Sequence, residues 1–141
     1  MKKRFLHLIL PGAALVLEML PYGAVCNFAR PAEDGSIGYF RQTYAYFDLT
    51  PFGYANFAPL ITAILTCAVL AMLAGYCVTG KTGLATAARN TLCVCAAFSF
   101  GPLVFGLRYY SVVGFLISAA LVAELIVLYA GMKKQKNTGE E

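Results

Sequence analysis

Long apolar runs separated by unequal polar connections dominate the 141-residue chain. Phe5 to Val25 holds one acid, Glu18, and one histidine, His7. Phe57 to Val78 has no charge, and Asn90 to Leu107 is also uncharged and can recruit Ala85 to Ala88 before it. Tyr109 to Met132 carries only Glu124. A helix rising about 1.5 Å per residue needs roughly 20 apolar residues to cross a hydrocarbon core ~30 Å thick. None of these runs alternates like a barrel strand, and in lipid a helix pairs its backbone groups within its own segment. The pattern therefore predicts an all-α membrane protein. It is expected to be a bundle of four transmembrane helices, about residues 5–25, 57–78, 88–107 and 109–132, in one membrane domain over 1–141.

The connections differ in length. Thr79-Gly80-Lys81-Thr82-Gly83 is a short turn between the second and third helices, and residues 107–111 make a tighter one between the third and fourth. Each pair must then be antiparallel neighbours. The loop over residues 26–56 is long and rich in tyrosine and phenylalanine. Within it, Glu33-Asp34-Gly35-Ser36 is turn chemistry ahead of a β-branched and aromatic stretch, which predicts a β-hairpin with arms near Ala24–Arg30 and Ile37–Asp48. Thr50 to Tyr54 then leads the chain into the second helix, and residues 133–141 form a polar tail.

Charge sets the expected orientation. Lys2, Lys3, Arg4, Lys81, Arg89, Lys133, Lys134 and Lys136 fall on one side, and Arg30, Arg41 and Arg108 on the other, eight against three. Positive residues are retained on the cytoplasmic side, so both termini are expected there and the long loop outside. Tyr22, Tyr54, Tyr109 and Tyr110 would form an outer aromatic belt, and Tyr76 and Tyr129 an inner one. Met1 to Arg4 followed by an apolar run also resembles a secretory signal. Glu18 interrupts that run and no small-x-small site follows, which favours a retained helix.

Composition agrees: 60% of residues are hydrophobic and 13% charged, whereas roughly a quarter of an average soluble sequence is charged. No basic run interleaved with aromatics supports nucleic-acid binding. Four of the five cysteines lie inside apolar runs, against a disulfide framework. A metal site from Cys77, Cys93 and Cys95 lacks both close ligand spacing and a nearby histidine, so no metal and no cofactor are expected.

Gly75-Tyr76-Cys77-Val78-Thr79-Gly80-Lys81-Thr82 matches the phosphate-loop pattern letter for letter. That loop needs a strand leading in, and here an uncharged apolar helix does so. Nucleotide binding is not expected. Small residues recur every four positions on the second helix, at Ala63, Cys67, Ala71 and Gly75. Gly101 on the third helix, with Cys93 and Ala97 before it, and Gly114 and Ser118 on the fourth extend the theme. Small side chains let helices approach closely where lipid removes the usual hydrophobic drive.

The candidate polar site comprises Glu18, Glu124, His7 and Arg108. A carboxylate within the bilayer costs several kcal/mol, so it faces the bundle interior or a water path. Glu18 lies about 10 Å from one expected boundary and Glu124 about 10 Å from the other, too far apart in depth for an acid pair. As structural anchors, Glu18 would reach Arg108 and Glu124 would reach His7. As a functional site, Glu18 would carry a proton or cation.

Four helices, a short chain and an acid, Glu18, in the first helix resemble the small multidrug exporters, a resemblance that covers only helix count and that acid. The 31-residue outer segment and the charge bias depart from that pattern. Claudin-like proteins share a long first outer loop with strands, but their tryptophan signature and paired loop cysteines are absent here. Neither resemblance carries residues over. The chain is expected to be a non-enzymatic structural or interaction component of a lipid bilayer whose aromatic outer hairpin meets a partner or caps the bundle, with a protein partner or a homo-oligomer as candidate associations. The alternative is a small proton- or cation-coupled transporter or channel subunit using Glu18. A bacterial plasma membrane is the expected location, from the compact chain and its Met-Lys-Lys-Arg start.

Overall fold

The protein, a computed structural model, is described over residues 2–31, 35–49 and 56–138. The elements run α1 (Lys2–Phe5), a 3-10 turn (Leu6–Leu8), α2 (Ile9–Met19), β1 (Ala24–Pro31), β2 (Ile37–Tyr44), α3 (Ala58–Thr79) and α4 (Thr82–Ser99). Two further 3-10 turns (Gly101–Phe105 and Leu107–Tyr109) lead into α5 (Val112–Thr138). α2 packs on α5 and α3, and α4 packs on α3 and α5, so the four long helices close into a ring. Ala14, Ala63, Val69, Leu73, Leu92, Cys95, Ile117, Leu121 and Leu128 fill its centre.

Three stretches, Ala58–Thr79, Thr82–Phe105 and Val112–Lys134, are long and apolar enough to cross a membrane. Only 39%, 33% and 33% of their most apolar windows is buried. Side chains such as Ile64, Val78, Phe115, Leu116 and Ile126 therefore stand exposed around the bundle, a far larger apolar surface than a water-soluble monomer carries.

The first apolar run is shorter than its composition suggested. α2 ends at Met19 rather than near Val25. Pro21 is the reason: the residue before a proline is pushed out of the helical region, and Leu20 is extended at φ −77° and ψ 140°. At the other end, Pro11 cannot donate a bond back to the His7 carbonyl, and the helix tightens into a 3-10 turn over Leu6–Leu8 just before it. The apolar helix Leu6–Met19 falls below the length of the other three.

The other boundaries shift for equally local reasons. α4 begins at Thr82, not near residue 88, because Gly80 alone makes the turn. Gly80 caps α3 in the left-handed region at φ 70°, and its N–H returns to the Tyr76 carbonyl at 2.8 Å. Gly75 to Thr79 of the phosphate-loop pattern are thus the last residues of a helix, not a loop. Beyond Ser99 the chain narrows to 3-10 geometry, where Pro102 lacks an N–H to donate. α5 starts at Val112 and continues through Thr138, so Lys133 and Lys134 are helical rather than part of a tail.

β1 and β2 pair antiparallel from Ala24↔Tyr44 to Pro31↔Ile37. Phe28 and Phe40, directly opposite, stack with ring centroids 5.3 Å apart. The second arm stops at Tyr44, short of Asp48, because Asp48 Oδ2 accepts the Ala45 N–H at 2.8 Å and turns the chain. The turn expected over Glu33 to Ser36 lies partly outside the described residues, and the lead-in over Thr50 to Tyr54 wholly so.

The four-residue seam on α3 is only partly a packing seam. Ala63 is buried and Gly75 meets Leu84, but Cys67 and Ala71 are exposed. A repeat of four drifts around a helix of about 3.6 residues per turn. The buried face instead follows Thr62, Thr66, Val69, Leu73 and Tyr76. Tyr76 therefore points inward beneath Arg4, whose guanidinium lies 5.4 Å from the ring centre, and does not join an aromatic belt. Tyr54 of the outer belt lies outside the described residues. The approaches at Gly101 and Gly114 are close. A side chain at Gly101 would collide with Ala58, and one at Gly114 would press on Ser111, Tyr46 and the Gly23 carbonyl.

Ser111 joins the hairpin end to the bundle. Its hydroxyl donates to the Gly23 carbonyl at 2.6 Å and accepts the Gly114 N–H at 2.8 Å, capping α5. Ser111→Ala removes the cap and leaves the buried carbonyl unpaired, an expected loss of about 1–3 kcal/mol. Thermal unfolding of the detergent-solubilised protein measures it.

Candidate functional site

The two buried acids sit at opposite ends of the ring. Glu18, fully buried, leaves the last turn of α2 toward α3. Its Oε1 accepts the Thr66 hydroxyl at 2.8 Å. The same hydroxyl lies 3.0 Å from the Thr62 carbonyl and 3.5 Å from Cys95 Sγ. Thr66 has one hydrogen to give, so the carboxyl and the carbonyl compete for it. Cys95 Sγ is also 3.5 Å from the Thr62 carbonyl, closing a polar cluster among α2, α3 and α4.

Tyr46 closes this cluster from the hairpin end. Its backbone N–H donates to the Glu18 carbonyl at 2.9 Å, and its ring is almost wholly buried against Gly23. A Cβ at Gly23 would come within 2.8 Å of that ring, which is why only glycine fits there. Desolvation pushes the Tyr46 phenol above its ordinary range, and burial does the same to Tyr110, whose hydroxyl meets Ser118. Ser118 also donates toward the Ser99 carbonyl at 3.2 Å, so its role is to tie α5 to the end of α4.

Glu124, buried on α5, lies at the terminal end. Its Oε1 is 2.8 Å from His7 Nδ1 on the 3-10 turn, and the imidazole packs 4.0 Å from the position a Gly131 side chain would take. The expected pairing of Glu124 with His7 is thus present. Glu18, however, does not meet Arg108. Arg108 stands exposed on the last 3-10 turn, and its carbonyl accepts Asn27 Nδ2 at 3.4 Å. Thr66, on the neighbouring α3, supplies the bond instead. A threonine two turns into an uncharged helix, four residues after Thr62, was the available signal for that partner. Neither Glu18 Oε2 nor Glu124 Oε2 has a hydrogen-bond partner among the described residues.

No match exists. Protein-family models, curated proteins and solved structures all fail to match the chain, so its site is read from its own geometry. Among the described residues no three histidine, cysteine, aspartate or glutamate side chains converge. The cysteines are dispersed: Cys77 lies beside the Arg4 carbonyl at 3.1 Å, Cys95 beside Thr66, and Cys93 is exposed. What the arrangement can do chemically is hold two carboxyl groups out of water, each tied through one oxygen to a neighbouring segment.

Thr66→Val keeps the shape and deletes the donor to Glu18. It is expected to lower stability by about 1–3 kcal/mol, because a buried carboxyl then loses its bond. Thr62→Val should cost less, since among the described residues its hydroxyl bonds the Ala58 carbonyl of its own helix. Paired thermal melts of the two variants check the contrast.

Proposed function

We propose that the chain is an integral membrane protein that crosses a plasma membrane four times, with both termini in the cytoplasm, and acts as a non-enzymatic structural or interaction component. The bond from Thr66 to a fully buried Glu18 carries this reading, because it makes the acid a clasp between α2 and α3. The Glu124–His7 contact is a second clasp at the other end. Polar side chains that bond across helices are ordinary glue in lipid. The hairpin, by contrast, contributes little to the ring and exposes Ile37, Tyr39 and Phe40. Tyrosines on a rigid ribbon bury area at low entropic cost, which suits a surface that meets a protein partner or a second copy. The short α2 completes a fourth crossing with the help of α1 and the 3-10 turn, and the eight-to-three bias of basic residues supports the orientation.

A second reading has one observation in its favour. Glu18 Oε2 is buried without a partner among the described residues, and an intramembrane carboxyl with a spare oxygen is what a proton- or cation-coupled path requires. Two substitutions separate the readings. As a clasp, Glu18→Gln retains an acceptor for Thr66 and leaves folded yield and partner binding unchanged, whereas Glu18→Leu lowers the yield. As a carrier, Glu18→Gln abolishes coupled flux in proteoliposomes at unchanged yield. Measuring yield, flux and the stoichiometry of a co-purifying chain in mild detergent decides between them. A flux that Glu18→Gln removes would sink the clasp reading.

A further inference from the structure

The register of the hairpin gathers a set of donors that neither clasp uses. Alternate residues of a strand share a face, and Asn27 lies opposite Arg41. Asn27, Tyr39 and Arg41 therefore stand on one face of the ribbon, away from the Phe28–Phe40 stack and from Arg30. That face looks toward the 3-10 turn Leu107–Tyr109. An open cavity of about 320 Å3 lies between them, lined by Asn27, Tyr39, Arg108 and Tyr109. Arg41 borders the same junction, its Nη2 reaching the Tyr110 carbonyl at 3.4 Å. The Asn27 amide is turned the same way, donating to the Arg108 carbonyl at 3.4 Å. Gly106 enters the 3-10 turn at φ 112°, and the bridge between Ala24 and Tyr110 fixes the far side.

We propose that this cleft binds a phosphate group. Its four lining residues offer a guanidinium, a carboxamide and two phenols, and no carboxylate. Arginine pairs with phosphate through two parallel hydrogen bonds, and Asn27 and Tyr39 line the opposite wall. A carboxylate presents two oxygens in one plane, whereas a tetrahedral oxyanion presents oxygens to both walls. The volume is at the lower end of the range for small-molecule sites, roughly 300–1,000 Å3, which suits a headgroup or a compact phosphate ester. Two sources offer the same chemistry: the headgroup of a phospholipid, or a free phosphate compound. The proposal does not rest on the clasp reading, since none of its residues touches Glu18 or Glu124.

The full chain, purified and stripped of lipid in detergent, is offered phosphatidylglycerol or a phosphate-free glycolipid, and bound lipid is counted by native mass spectrometry. In parallel, inorganic phosphate is titrated while the melting temperature is followed. Arg108→Gln removes the cleft's guanidinium, and Arg30→Gln removes the same charge from the other face of the hairpin. Retention of phosphatidylglycerol over glycolipid, falling about tenfold in Arg108→Gln and unchanged in Arg30→Gln, supports the site with a lipid as source. A phosphate-dependent rise in melting temperature lost only in Arg108→Gln supports it with a free phosphate as source. Neither response, or equal losses in the two variants, overturns the proposal. Should Arg108→Gln not fold, Tyr39→Phe deletes only an exposed hydroxyl. It must then weaken whichever response is seen, and no change there overturns the proposal as well.

Discussion

In the proposed membrane setting the backbone is surrounded by hydrocarbon and has to satisfy its own hydrogen bonds, the constraint on which the proposed reading of the bundle rests. Three helices long and apolar enough to cross a membrane leave most of their surface outside the bundle. Such an exterior is costly in water and costs nothing in lipid. In that setting helices gain little by hiding leucine from leucine, and close approach and polar contact carry the association. Gly101 against Ala58, and Gly114 against Ser111 and Tyr46, provide the first. Thr66 with Glu18, and His7 with Glu124, provide the second.

The two clasps fall where the fold most needs them. The first helical segment is the shortest, limited by Pro11 and Pro21, and has the least surface to offer its neighbours. Glu124 fixes its beginning to α5 through His7, and Glu18 fixes its end to α3. Tyr46 and Ser111 then lock the chain emerging from that helix, one to the Glu18 carbonyl and the other to Gly23. The hairpin is thus held at its base while most of its second arm, β2, stays exposed.

Much of this was legible in the amino-acid order, for reasons that depend on range. The apolar runs and the hairpin arms are local patterns, and so were found. The pairing of Glu124 with His7 followed from depth alone, since both sit about one to two turns inside the same end. Boundaries failed where a single residue decided them: Pro21 ended α2 early, and Gly80 let α4 start early. The seam at Cys67 and Ala71 failed because a four-residue repeat is not the helix's own period. Glu18 was assigned the wrong partner because charge suggested Arg108, whereas a neutral hydroxyl on a neighbouring helix was closer. The cleft between the hairpin and Arg108 depends on strand register and on the placement of a 3-10 turn, neither of which a linear pattern contains.

The claim beneath all of this is that the helices cross a bilayer with the α3–α4 turn on the same side as both termini. In a cysteine-free background, a single cysteine at Lys81 and another at Ser36 can be labelled in sealed, right-side-out vesicles with a membrane-impermeant maleimide. The account predicts that position 36 reacts in intact vesicles and position 81 only after permeabilisation. Equal labelling of both positions in intact vesicles, or recovery of the protein in the soluble fraction without detergent, would contradict it.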